Sequence, residues 1–220
     1  MAAAVRVKIC GLTSVADVVA VAAAGADALG LNFYPPSPRS ISLDLAPALL
    51  HAMPPFVEPV GVFVRTTPDA LLPLLDQLGT LRSLQIHGTA PVVAPAGPYR
   101  YIPAVQIRQA DDVAALRAYL RQAQEADQLP AAVLVDGHAP GLVGGTGQTA
   151  PWALLEHLDL PVPLILAGGL TPDNVAEAVR RVRPWAVDVA SGVESTPGRK
   201  DIDKVKRFVA AVREAADDLT

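Results

Sequence analysis

Two residues in this chain combine side chains suited to moving protons with positions where an apolar run ends. Cys10 closes the run Val5–Cys10, and Asp136 closes the run Ala131–Asp136. A lone cysteine is most often a small buried hydrophobe. Here Lys8 lies two residues earlier, on the same face of an extended strand as Cys10 and Arg6, while Val5, Val7 and Ile9 share the other face. A nearby cation favours the thiolate, the form that acts as base or nucleophile. Asp136 must cap a helix, pair with a cation or work in a site. The glycine-rich stretch after it argues against capping, and burial against apolar walls would raise its pKa towards acid catalysis.

Further candidates follow other apolar runs. Gly168-Gly169 and Ser191-Gly192 each stand at the end of one, and glycines let backbone N–H groups come close to a phosphate. The stretch Val143-Gly-Gly-Thr-Gly147 could add donors. Either pair alone reads as a tight turn; two at the ends of consecutive strands read as a phosphate site. Arg39 sits in the proline-stiffened loop Tyr34–Ser42. It could clamp a carboxylate bidentately, although its type and position alone favour a solvated surface arginine. His51, His87, His138 and His157 have no metal-ligand spacing. For His87 and His138 a structural hydrogen bond is the simpler reading, and Asp188 reads as a residue that orders its strand or the neighbouring strands.

These residues need a scaffold that gathers many strand ends. The chain alternates short apolar strands with amphipathic helical stretches, the pattern of a parallel sheet. The strands are expected at Val5–Cys10, Ala28–Phe33, Val57–Val64, Leu81–Ile86, Tyr101–Ile107, Ala131–Asp136, Val162–Ala167 and Ala186–Ala190. The helices are expected at Ser14–Ala24, from Leu43, from Pro68, and at Ala110–Glu125, Trp152–His157, Pro172–Val182 and Ile202–Ala216. Prolines 91, 95 and 98 leave a short helix or none after the fourth strand. Pro103 suggests a bulge or a late start in the fifth. Eight units in 220 residues predict a single (β/α)8 barrel over 1–220. An open doubly wound sheet would instead gather its special residues at a switch point.

Composition narrows the partners. Half the residues are hydrophobic (51%) and only 5% aromatic, which suits Ala/Val/Leu strands buried under helices. The net charge of −4, with no basic run, argues against nucleic acid. No stretch of about 18 uncharged apolar residues predicts a membrane span. One cysteine permits no intrachain disulfide, and the start of the chain lacks the apolar core of a signal peptide, so a cytoplasmic location is expected.

The motif set resembles the phosphoribosylanthranilate isomerases. It comprises Val7-Lys-Ile-Cys-Gly-Leu-Thr13, Gly25-Ala-Asp-Ala-Leu-Gly-Leu-Asn-Phe-Tyr34 with Ser37-Pro-Arg39, Val60-Gly-Val-Phe-Val64, Gln85-Ile-His-Gly88, Pro140-Gly-Leu-Val-Gly-Gly-Thr-Gly147, Leu166-Ala-Gly-Gly-Leu-Thr-Pro172 and Val187-Asp-Val-Ala-Ser-Gly-Val-Glu194. The resemblance spans nearly the whole chain. It implies an Amadori rearrangement of a phosphorylated small molecule in tryptophan biosynthesis, with Cys10 as general base and Asp136 as general acid. It also implies Arg39 on the anthranilate carboxylate and the backbone of Gly168, Gly169, Ser191 and Gly192 on the phosphate. Each step is a proton transfer, so no cofactor or metal is expected. Other tryptophan-pathway enzymes are the protein partners to which it points. Departures from the family pattern are Gln148 in place of a basic residue, Ala150-Pro151 in place of Phe-Asp, Pro103 in place of lysine and Ala190 in place of serine. The rival readings are the sister isomerase of histidine biosynthesis, which uses aspartates in both roles, and a catalytically silent phosphate-binding barrel.

Overall fold

The computed structural model describes residues 4–88, 98–136, 152–156 and 158–219. Eight parallel strands close into a barrel in sequence order. They are β1 (Arg6–Cys10), β2 (Ala28–Asn32), β3 (Glu58–Val64), β4 (Ser83–His87), β5 (Arg100–Gln106), β6 (Val133–Asp136), β7 (Leu164–Ala167) and β8 (Ala186–Val189). Closure is carried by β8 pairing back onto β1, with Lys8 opposite Asp188. The helices are α1 (Val15–Ala23), α2 (Ala46–His51), α3 (Pro68–Gln77), α4 (Ala110–Glu125), α5 (Val175–Val182) and α6 (Ile202–Asp217). Among the described residues none stands between β4 and β5, and none is long and apolar enough to cross a membrane.

Strand alternation divides the interior into two layers. One face of each strand, including Val7, Ile9, Leu29, Leu31, Leu84 and Val187, packs outward against the helices in the main core. The other face turns into the lumen, where Val60, Ile102, Leu134, Ile165 and Ala186 form a smaller apolar cluster. Lys8 and Cys10 belong to this inner face, as the alternation along β1 requires. Arg6 stands at the opposite mouth, stacked over Trp185 at 4.4 Å.

Local chemistry starts the helices. Ser14 caps α1 by accepting from Asp17 N–H (3.1 Å), Thr67 caps α3 by accepting from Ala70 N–H (3.3 Å), and Asp201 accepts from the N–H groups of Asp203 and Lys204.

Four expectations need correction. First, α2 starts at Ala46, not Leu43, because the Ser42 side chain and carbonyl hold Leu45 and Ala46 in the turn that precedes it. Second, α5 starts at Val175, not Pro172. The Asn174 side chain accepts from Thr171 N–H (2.8 Å) and donates to the Gly169 carbonyl (3.0 Å), closing a loop first. Third, in place of a helix over Trp152–His157 the described residues after β6 form one tight 3-10 turn, Trp152–Leu154. There Leu155 and Glu156 N–H groups both donate to the Trp152 carbonyl, and the buried indole anchors the turn. Fourth, β5 runs through Pro103 without a bulge, Ile86 facing Pro103 in unbroken register. The Tyr101 carbonyl accepts from Ala131 N–H on the β6 side. Alternation puts the Pro103 nitrogen on that side too, one residue before regular β5–β6 pairing begins at Ala104.

One element lay outside the expected pattern. After β8 the chain makes a single 3-10 turn, Ser191–Val193. An antiparallel hairpin follows, β9 (Glu194–Thr196) and β10 (Arg199–Lys200), before α6 begins.

Candidate active site

The carboxyl ends of the strands converge at one mouth of the barrel, the end at which enzymes of this architecture do their chemistry. Cys10 is buried at the end of β1. Its sulfur has room because β2 carries glycine opposite. A Cβ on Gly30 would lie 2.7 Å from Cys10 Sγ. Asp136 ends β6 on the lumen face, half-buried. His87 ends β4, and Gln85 lies beneath it.

A polar layer lines the lumen below Cys10. Lys8 Nζ donates to Asp188 Oδ1 at 2.7 Å across the β1–β8 seam, with both side chains buried. Burial works against the Lys8 ammonium, but Asp188 and then Cys10 overcome it and raise the lysine above its ordinary pKa. For Cys10, burial pushes the thiol upward. Lys8 and Lys200 oppose this, Asp188 reinforces it, and the pKa stays above the ordinary thiol value. Lys8 therefore favours the thiolate as its position suggests, but its pairing with Asp188 blunts the effect. His87 is held below its ordinary pKa by burial and then by Lys8, against Asp188 and Asp136. Its neutral ring can accept from Gln85 Nε2 at Nε2 (2.7 Å), which leaves the proton on Nδ1. Asp188 of β8 thus has its ion-pair partner on the neighbouring strand β1.

Arg39 is not a solvated surface side chain. Its Nε and Nη2 donate to Glu194 Oε1 (2.8 Å) and Oε2 (2.6 Å) in a bidentate pair. Its stem passes over Gly11, where a Cβ would meet Arg39 Cδ at 2.5 Å. The hydrogen bonds it donates to Glu194 raise the guanidinium further, and the Cys10 thiol lies within its field. Lys200 Nζ donates to Glu194 Oε1 (2.8 Å), the Cys10 carbonyl (2.6 Å) and the Ala190 carbonyl (3.2 Å). Burial opposes the Glu194 carboxylate, yet the bonds from Arg39 and Lys200 hold it below the ordinary range. Sequence reasoning missed Lys200 and the part played by Glu194. Glu194 closes the motif Val187–Glu194, whereas Lys200 left no signal.

The glycine pairs lie at neighbouring strand ends. Gly168 and Gly169, after β7, adopt φ of +94° and +66°, a backbone that glycine alone adopts without strain. After β8, Ser191 is exposed and Gly192 packs against the Leu170 carbonyl so closely that a side chain there would collide with it. The missing side chain at Gly192 thus lets the two loops approach closely. His138 and the stretch Val143–Gly147, with Gln148, Ala150 and Pro151, lie outside the described residues, as does His157. Among the described residues no cluster of His, Cys, Asp and Glu could hold a metal ion.

Comparison with known proteins bears directly on this arrangement. Residues 7–211 match the family of N-(5'-phosphoribosyl)anthranilate (PRA) isomerase. The sequence is 44% identical over 218 residues to N-(5'-phosphoribosyl)anthranilate isomerase of Pseudomonas fluorescens, covering 98% of this chain and 99% of that protein. It is 46% identical over 211 residues to the enzyme of that name from Thiobacillus denitrificans, covering 96% and 98%. The fold matches crystalline phosphoribosyl anthranilate isomerase from Thermotoga maritima with a TM-score of 0.80 at 37% identity, covering 96% and 99%. It also matches an isomerase crystallised with reduced 1-(o-carboxyphenylamino)-1-deoxyribulose 5-phosphate, with a TM-score of 0.75 at 35% identity, covering 96% and 99%.

Proposed function

Given that this chain belongs to the N-(5'-phosphoribosyl)anthranilate isomerase family, we propose that Cys10 and Asp136 carry the two proton transfers of its reaction. The reaction is the Amadori rearrangement of N-(5'-phosphoribosyl)anthranilate to the 1-deoxyribulose 5-phosphate, an aldose–ketose isomerisation in tryptophan biosynthesis. The observation that carries the assignment is the placement of Cys10 and Asp136 at one mouth of the lumen, with Arg39 and the paired glycine loops around it.

Arg39 takes the anthranilate carboxylate, and the backbone at Gly168, Gly169, Ser191 and Gly192 takes the phosphate. The substrate is then fixed at both ends, which removes much of the entropic part of the barrier. Asp136 gives a proton to the ribose ring oxygen. The C1–O bond breaks as the amine lone pair forms C1=N. The Cys10 thiolate removes the C2 proton, the electrons of that bond form C1=C2, and the iminium nitrogen is neutralised. The resulting enol becomes the C2 ketone when C1 takes up a proton and the hydroxyl loses one. Every step moves protons, so no cofactor enters the scheme. Lys8 and Lys200 are the cations that favour the thiolate against the effect of burial. The substrate is a phosphorylated small molecule, and the enzyme works in the cytoplasm, where its thiol stays reduced. Other tryptophan-pathway enzymes are its candidate protein partners.

The test is loss of substrate fluorescence, with substrate generated in place from anthranilate and phosphoribosyl pyrophosphate. Wild type should turn over, and Asp136→Asn should lose at least about 100-fold in kcat, the lower end expected for a general acid, while keeping a native circular dichroism spectrum. An Asp136→Asn rate equal to wild type would remove Asp136 from the mechanism.

A further inference from the structure

The hairpin β9–β10 has no place in the barrel sheet, yet it supplies two deeply buried charges near the mouth. Glu194 and Lys200 are opposite each other in its register and both are buried, the Lys200 side chain completely. Lys200 has three ammonium hydrogens and three acceptors, Glu194 Oε1, Cys10 O and Ala190 O. It therefore ties the ends of β1 and β8 to the hairpin. Glu194 takes Lys200 on one side and two parallel bonds from Arg39 on the other. Its backbone carbonyl also accepts from Lys204 Nζ at 2.8 Å, which anchors the hairpin to α6. The loop that carries Arg39 is fastened independently. Ser37 Oγ accepts from Arg39 N–H (3.1 Å) and from Asn32 Nδ2 (3.2 Å). Thr13 Oγ1 donates to the Gly198 carbonyl at the hairpin turn (2.6 Å).

A guanidinium offers five N–H groups in one plane. Glu194 takes the Nε hydrogen and one Nη2 hydrogen. The Nη1 hydrogens and the second Nη2 hydrogen stay free of Glu194, and they form the edge that matches a second carboxylate. The Arg39 side chain is 22% exposed where Glu194 is 5% exposed, so the reachable part of the pair belongs to the arginine. Without Glu194, a long side chain in a loop samples many rotamers and loses that orientation. The cluster of Arg39, Lys200 and Glu194 also carries a net charge of +1, opposite to an incoming carboxylate.

We infer that Glu194, braced by Lys200, is a positioning residue that fixes the plane of the Arg39 guanidinium so that its outer edge receives the substrate carboxylate. This rests on the assignment of Arg39 to that carboxylate. Glu194 does not touch the reacting atoms, so its removal should fall on substrate affinity and not on the chemical step. Losing a charge-assisted bidentate contact predicts about a tenfold rise in KM, with kcat within about twofold of wild type.

The experiment measures KM and kcat for wild type, Glu194→Gln, Arg39→Ala and the double variant, on two substrates: phosphoribosylanthranilate and the phosphoribosyl adduct of aniline, which lacks the carboxylate. The expected result is a KM rise for Glu194→Gln on the anthranilate substrate alone, and a double variant no worse than Arg39→Ala. If Glu194→Gln unfolds because Lys200 is left buried and unpaired, Glu194→Gln/Lys200→Met keeps the cluster at +1 and is measured instead. An unchanged KM in the Glu194 variant, with Arg39→Ala impaired, would overturn this inference alone. So would an equal loss on both substrates, which marks a merely structural role. An unchanged KM in Arg39→Ala would overturn the carboxylate assignment and this inference with it.

Discussion

The Cys10 sulfur occupies space that exists only because β2 has glycine at position 30. In Gly30→Ala the new methyl carbon would stand 2.7 Å from Cys10 Sγ, 3.0 Å from its Cα and 3.2 Å from its Cβ. Nonbonded carbon contacts settle at about 3.5–4.0 Å. The sulfur must therefore withdraw by about 1 Å, and the nearby Cys10 backbone limits how far β1 can adjust. A displacement of that size at a reacting atom costs on the order of 100-fold in rate. Overpacking adds about 1–3 kcal/mol of destabilisation. Gly30 has an ordinary negative-φ backbone, so the substitution brings no left-handed strain. Steady-state fluorescence kinetics should then show kcat reduced about 100-fold with KM within about threefold, because the proposed carboxylate and phosphate contacts lie elsewhere. Urea denaturation would report the stability cost separately. A folded Gly30→Ala enzyme with wild-type kcat would refute the claim that the position of the Cys10 sulfur controls the chemistry.

Other perturbations probe the remaining parts of the site. Gly192→Ala drives a methyl into the Leu170 carbonyl and forces the loops after β7 and β8 apart. Competitive inhibition by inorganic phosphate should weaken at least about tenfold, the lower bound set by losing one charge-assisted contact, and unchanged inhibition would remove these loops from the phosphate site. Alkylation of Cys10 by iodoacetamide should be slower at pH 7 than that of a free thiol and keep rising above the ordinary thiol range, because burial holds the thiol protonated; a rate that levels off near neutrality would contradict that. Lys8→Met leaves the Asp188 carboxylate buried without its partner, so urea denaturation should show a loss of about 3–5 kcal/mol. Lys8→Met/Asp188→Val should recover most of that loss, and equal stabilities for the single and double variants would argue against the ion pair.

The barrel was legible because its signals are local. Apolar runs of strand length, a serine before α1 and a sixteen-residue amphipathic stretch each act within a few positions, and α4 occupies the expected Ala110–Glu125. Cys10 and Asp136 stood out for the same reason, as polar residues ending apolar strands. The contacts that shape the site are of another kind. Lys8 meets Asp188 across 180 positions, Arg39 meets Glu194 across 155, and Lys200 reaches the Cys10 carbonyl across 190. Such pairs leave no periodicity, which is why the sequence alone favours a surface residue at Arg39. Pro103 misled because an isolated proline argues against a regular strand. The rule weakens where the missing donor falls just before pairing with the next strand begins. The hairpin after β8 escaped notice because its strands are only three and two residues long.

The central claim is that the Cys10 thiolate removes the proton from C2 of the sugar. The most direct test follows turnover of phosphoribosylanthranilate carrying deuterium at C2, in wild type and in Cys10→Ala. The account predicts slower single-turnover decay of the deuterated substrate in wild type, and loss of catalysed decay in Cys10→Ala with the fold intact. Catalysed decay in Cys10→Ala, showing the same isotope effect as wild type, would contradict it and assign the base to another residue of the lumen.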